Sequence, residues 1–227
     1  MMHRFLKKLA RSKAGVAMTE FALAAPLLLT AGLWGTEVAW LALTNLRVSQ
    51  VTMQLADNGS RIGDSSTLQN RKIYESDIND ILVGATIHGG GAMDLYEHGR
   101  VVVSSLEVIP GSNGGKQYIH WQRCLGKMQV GSAYGPEGHG LNSPNFKGMG
   151  PTGKEVSAID EQDAVIYVEI EYDYQPLFSD VFVGNTRIRA EGSFSVRESR
   201  DLSQVYQKDP NNPDPQASCT KYNKSVS

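Results

Sequence analysis

Residues 15–46 read GVAMTEFALAAPLLLTAGLWGTEVAWLALTNL, and no other stretch of the chain is long and apolar enough to enter a bilayer. From Phe21 to Leu43 only Glu37 is charged. A helix over that span is about 34 Å long, enough to cross a hydrocarbon core of about 30 Å. Arg4, Lys7, Lys8, Arg11 and Lys13 precede it with no acid before Glu20, and the first charge on the far side is Arg47. This excess of cations on one flank sets the N-terminus in the cytoplasm and the rest of the chain outside.

Two details distinguish this helix from a plain anchor. Gly15 stands where the basic leader meets the apolar run, and Glu20 follows five residues later. Gly15-Val16-Ala17-Met18-Thr19-Glu20-Phe21 resembles the processing site of type IV pilins and pseudopilins. In that superfamily a prepilin peptidase cuts after the glycine, here between Gly15 and Val16, and the glutamate becomes the fifth residue of the mature chain. The continuation through Phe21-Ala22-Leu23 and Pro26-Leu27-Leu28-Leu29 to the second acid, Glu37, resembles the TadE-like minor pilins of the tight-adherence (Tad/Flp) pilus. Glu171-Tyr172-Asp173-Tyr174-Gln175-Pro176-Leu177-Phe178 resembles the C-terminal part of the same family. The resemblance thus covers two patches, about 15–62 and 164–197. It implies that Glu20, Phe21 and Glu37 serve assembly. It also implies three kinds of partner: a prepilin peptidase, other Tad pilins, and an inner-membrane assembly platform.

An ordinary secretory signal peptide shares the basic and apolar regions. Here the apolar stretch is longer than in most signal peptides. Its alanines, Ala22 to Ala25, lie inside the run, and no small-x-small site follows Leu43. The other rival is a periplasmic binding or enzymatic domain on an uncleaved signal anchor.

Formal net charge is −2 and argues against nucleic acid as a main partner. Mean hydropathy is negative despite the apolar helix, so the remainder is distinctly polar. That pattern fits one exported domain on one anchor in membrane lipid. The two cysteines, Cys124 and Cys219, both fall on the exported side, where an oxidising compartment favours their pairing. The expected organisation is a cytoplasmic leader over 1–15, a membrane and assembly helix over 16–62, a periplasmic domain over 63–206, and a mobile Pro-, Asn- and Asp-rich tail over 207–227 tethered by Cys219. The expected location is the bacterial inner membrane in single-pass form, with access to a pilus.

Within the span, Ala31, Gly35 and Ala39 recur every fourth residue and form a small-residue stripe of the kind that lets a second helix approach. Trp34 and Trp40 stand where an aromatic belt would lie at the outer interface. Pro26 removes a backbone donor and predicts a kink or local melting. Beyond the membrane, Leu41, Thr44, Val48, Val51 and Leu55 share one face, so the helix continues with an apolar side, and Asp57-Asn58-Gly59-Ser60 ends it. Ser65 to Asn70 reads as a loop.

A second helix is predicted from about Glu75 to Ala85, capped by Ser76 or Asp77 and broken by Gly89-Gly90-Gly91. Strands are predicted over Val101–Ile109 and Tyr118–Cys124, forming a hairpin, and over Val165–Tyr174 with Thr186–Arg197 as antiparallel partner. In the third strand, Val165, Tyr167, Glu169, Glu171 and Asp173 alternate with an apolar set, which predicts one buried and one acidic, solvated face. Residues 131–154 read as a long Gly- and Pro-rich surface loop. The fold class expected is α+β: one long helix followed by a small antiparallel sheet, in a pilin-like layout.

No sequence motif for catalysis is present: no G-x-S-x-G, phosphate loop or H-E-x-x-H. His88, His98, His120 and His139 lack ligand spacing and read as scattered surface residues, so no metal or cofactor is expected. Asp77 with Asp80, and Glu169 with Glu171, read as solvated neighbours. Trp121 reads as core or interface. The expected work is mechanical, not enzymatic.

Overall fold

The computed structural model describes residues 14–63, 70–91, 93–112, 115–143, 145–197 and 199–226. The basic leader through Lys13 and most of the predicted 65–70 loop lie outside the described residues. The order of elements is α1 (Ala14–Gly59), α2 (Glu75–Gly89), α3 (Leu95–His98), β1 (Gly99–Val108), β2 (Gln117–Leu125), β3 (Ala164–Asp173), a 3₁₀ turn (Asp180–Phe182) and β4 (Arg187–Ser195). The protein is therefore α+β, with one four-stranded antiparallel sheet in the order β2-β1-β3-β4. The described chain divides into two compact units: one holds α1 up to Ala42 together with Pro176–Gly184, and the other holds Leu43–Gln175 and the residues from Asn185 onward.

In the larger unit the predicted face of α1 is buried. Thr44, Val48, Val51 and Leu55 are all shielded, and Leu41, in the other unit, is half-exposed. Each fully buried Val or Leu contributes about 1.5–3 kcal/mol, so this face holds the outer half of the helix in place. Gly192 of β4 permits the close approach: a Cβ there would lie 3.0 Å from Met53 Sδ and 3.3 Å from Thr52 Cγ2. The helix ends at Gly59, within the predicted cluster. Arg200 covers that end, donating to the carbonyls of Gly59 at 3.4 Å and Ile62 at 2.7 Å, where a cation suits the exposed C-terminal carbonyls. The helix runs unbroken through Pro26, so the melting expected there does not occur. Only one backbone donor is lost, and the rest of the ladder persists.

α2 starts as predicted but continues to Gly89, and Gly90, at φ +75°, ends it. Its N-cap is Tyr74, not Ser76 or Asp77. Asp77 acts from the third helical position, its carboxylate accepting the Tyr74 N–H at 3.2 Å, and it also pairs with Lys208 at 3.0 Å. The β1–β2 hairpin and the β3–β4 pair form as expected. Trp121 is buried.

Two expectations fail for one reason: segments without periodicity cover what periodicity left open. The 131–154 loop is not simply a surface loop. Met149 joins Leu106, Ile119, Val165 and Tyr167 in a buried cluster, with Tyr134, Phe146 and Val156 packed against it. Both faces of β3 are accordingly mostly buried. Glu169 is shielded, not solvated, with Ser132 Oγ and the Ala133 N–H donating to its carboxylate. Burial raises its pKa, and those donors with Arg189 oppose the rise. The 207–226 segment, expected to be a mobile tail tethered by Cys219, is also tied to the sheet by backbone hydrogen bonds. Cys124 and Gly126 donate their N–H groups to the carbonyls of Ala217 and Asn223, both at 2.8 Å, which covers the free edge of β2. The expected disulfide, Cys124–Cys219, fixes the same segment.

Candidate functional site

The apolar part of α1 carries the sequence-predicted residues in a line. Gly15, Val16, Glu20 and Phe21 lie in its exposed first turns, and Ala31, Gly35 and Ala39 remain exposed farther along. Glu37 differs from all of them. It is 0% exposed although it lies between Trp34, which is exposed, and Trp40. The shield is the segment Pro176–Gly184, which follows β3 and belongs to the same compact unit.

The geometry is a two-point clamp. Glu37 Oε1 accepts the N–H of Leu177 at 3.0 Å, and Oε2 accepts the N–H of Phe178 at 2.8 Å. Successive amides point the same way because the chain turns at Pro176, whose ring fixes φ and which has no N–H of its own to satisfy. The segment then closes on itself. Ser179 Oγ accepts the Val181 N–H at 3.2 Å. The Ser179 carbonyl accepts from Phe182, and the Asp180 carbonyl from Val183 and Gly184. Gly184 sits at φ +66°, a conformation that favours glycine and lets the turn finish. A hydrogen bond to a charged group contributes about 1.5–3 kcal/mol. Two such bonds match or exceed the cost of about 2.5–3.5 kcal/mol for a carboxylate placed centrally in a membrane helix.

The two sequence patches that carried the family resemblance therefore meet at one carboxylate. Sequence reading marked Glu37 and Gln175-Pro176-Leu177-Phe178 separately and missed the contact. Its only signal was an acid in an apolar helix, a group that is usually paired. Glu20, by contrast, is about 25 Å away along the helix, and nothing brings the two acids together.

The larger unit holds other polar clusters. His120 is not a scattered surface residue. A register shift between Ser105 and Leu106 leaves it without a cross-strand partner. Its Nδ1 then meets Glu107 Oε2 at 2.8 Å, while Ser105 Oγ donates to Glu107 Oε1 at 2.6 Å. The hydroxyl and the imidazole both bind the carboxylate and not each other, so the trio ties two strands together and holds no activated nucleophile. Tyr134 and Tyr167 both donate to Glu191 Oε2 at 2.6 Å and tie the long loop to the sheet. Across β3 and β4, Arg187 pairs with Glu171 at 3.6 Å and Arg189 with Glu169 at 3.4 Å. Arg123 is buried against Glu75. A pocket at the end of α1 is lined by Arg61, Arg71, Arg197 and Arg200, of which Arg61 and Arg197 both pair with Asp57. Among the described residues no group of three or more His, Cys, Asp or Glu is placed to hold a metal ion.

The His120 contact makes a pH prediction. The hydrogen bond that His120 donates to Glu107 raises the imidazole pKa, against the lowering by burial. A raised folded pKa stabilises the fold below the unfolded value of about 6.5, and that contribution is lost as pH rises through the folded pKa. Urea midpoints of the detergent-solubilised protein should therefore decline across that window. His120→Gln should flatten the decline; an unchanged slope would assign it elsewhere.

The chain is thus an α+β protein with one N-terminal helix long and apolar enough to span a membrane, consistent with a single-pass membrane protein. No protein-family model, curated protein or solved structure matches it.

Proposed function

We propose that this chain is a TadE-like minor pilin that takes part in initiating, capping or regulating a tight-adherence pilus. The observation that carries the reading is the Gly15–Phe21 motif at the head of a helix whose apolar half is exposed along its length. The precursor waits in the bacterial inner membrane with its leader in the cytoplasm and its sheet domain in the periplasm. A prepilin peptidase removes Met1–Gly15. The mature helix then packs against other pilin helices on an inner-membrane platform, with the stripe of Ala31, Gly35 and Ala39 allowing close approach. The sheet domain is braced by a disulfide, which suits a mechanical part working outside the cytoplasm.

The mature chain should begin at Val16. Intact mass of the protein taken from membranes tests this directly. Loss of the leader alone supports the reading. A retained leader favours a periplasmic binding or enzymatic domain on an uncleaved anchor, and loss of the whole apolar helix means an ordinary secreted protein. Gly15→Phe should leave uncut precursor in the membrane fraction.

A further inference from the structure

Pro176–Gly184 carries more apolar surface than a loop clamped at both ends requires. Leu177 is 52% exposed, Phe178 49% and Val181 86%. In an ordinary exported domain these side chains would face water. Here the segment is hydrogen-bonded to Glu37 of the apolar helix, between Trp34 and Trp40, which stand where an aromatic belt would lie at the outer interface. We infer that this segment is a second membrane contact, a short lipid-facing wedge seated in the outer boundary of the bilayer beside the helix.

Two independent features make lipid the occupant. First, the backbone is prepared for a place without water. The N–H groups of Leu177, Phe178, Val181, Phe182, Val183 and Gly184 all have acceptors inside the same unit, two of them supplied by Glu37. Non-helical backbone at membrane depth is tolerated only where such groups are satisfied within the protein. Second, the exposed apolar side chains of the segment belong to the same compact unit as the exposed apolar helix. The same clamp explains Glu37: the wedge covers a carboxylate that would otherwise face acyl chains, and the carboxylate satisfies amides that would otherwise be orphaned. Asp180, exposed in the turn, limits the depth. The wedge therefore reaches the headgroup and upper acyl region, about 5–10 Å, as interfacial segments do.

This inference rests on the helix spanning a membrane and holds whether or not the subunit enters a pilus. The native cysteines are paired, so a single added thiol is the only one to label. Full-length Val181→Cys and, separately, Leu28→Cys carry an environment-sensitive dye in phosphatidylethanolamine/phosphatidylglycerol vesicles. Lipids brominated near the headgroup or near the chain end serve as quenchers, against unbrominated lipid. The expected result is several-fold stronger quenching of the Val181 label by shallow than by deep bromine, with the Leu28 label quenched by deep bromine. Glu37→Leu should abolish Val181 quenching and spare that at Leu28. A quenched Leu28 label with an unquenched Val181 label would overturn the wedge and leave the anchor standing. Quenching at neither position would overturn both. Shielding of Val181 that appears only as protein per vesicle rises would mean that a second copy covers the segment, which also overturns the wedge. Val181 quenching unchanged by Glu37→Leu would overturn Glu37 as its seat.

Discussion

Glu20→Ala should insert into the membrane and lose its leader as usual, yet abolish pilus assembly. On the proposed function, cleavage after Gly15 would create an α-amine on Val16 that is substantially cationic near neutral pH, since the reference pKa of such a group is about 7.7–8.0. Glu20 lies one helical turn from it and is exposed on the helix. Near the membrane edge the carboxylate is tolerated at less than the cost of about 2.5–3.5 kcal/mol it would carry at the centre. Packing against other helices dries it and raises that cost, so it needs a cation. In the proposed assembly the amine of a neighbouring subunit would serve best, because that pairing would set the axial offset between helices and exist only after processing. Glu37 offers no substitute: its two oxygens are held by Leu177 and Phe178. The measurement is co-purification of the processed variant with the other pilins, beside a count of pili by microscopy. Normal values for both would mean that Glu20 merely snorkels to headgroups.

What the sequence made legible follows from which interactions are periodic. The apolar run and the spacing of Thr44, Val48, Val51 and Leu55 predicted both halves of α1, because helix burial repeats with the helix turn. Alternation predicted β3 and its pairing with β4; the register, with Glu171 opposite Arg189, came from the fold. Alternation could not show that β3 is covered on both faces. The cover comes from Met149, Phe146 and Tyr134, in a segment ruled by turns, and its attachment runs through single hydrogen bonds to Glu169 and Glu191. The contacts of the C-terminal segment were hidden for the same reason. Its composition is that of a disordered chain, but the buried Arg100 gathers its carbonyls, and such a bond leaves no pattern in the sequence. Glu37 is the intermediate case: an acid in an apolar helix announces a partner, and only the fold reveals that the partner is a pair of backbone amides.

Replacing both Cys124 and Cys219 with serine should lower stability by about 4–5 kcal/mol in the chain-entropy model, and free the C-terminal segment from the sheet. The bond closes a long loop, with a sequence separation of 95, so the reduced unfolded chain gains much freedom. Measured against a typical domain stability of about 5–15 kcal/mol, that is a large share. The bond is also one part of a larger closure. Arg100, almost wholly buried, donates to the carbonyls of Gly126 at 2.8 Å, Lys221 at 3.0 Å and Cys219 at 2.7 Å, and its guanidinium stacks 4.2 Å from the Tyr222 ring. Three of these four partners belong to the segment that the disulfide fixes. Without the bond, that segment must be held by Arg100, the amides of Cys124 and Gly126, the Asn79 bond to the Pro215 carbonyl at 2.9 Å, and ion pairs of Lys208 with Asp77 and of Lys224 with Asp94 and Glu97. The last of these are exposed and contribute little. Release would uncover the β2 edge, an open template for pairing with another chain. The double variant should therefore show a lower urea midpoint, faster hydrogen exchange at the amides of residues 124 and 126, and aggregation that rises with concentration. A drop of about 1 kcal/mol or less, with those amides still protected, would mean that Arg100 and the other hydrogen bonds hold the segment and that the disulfide only secures what is already in place.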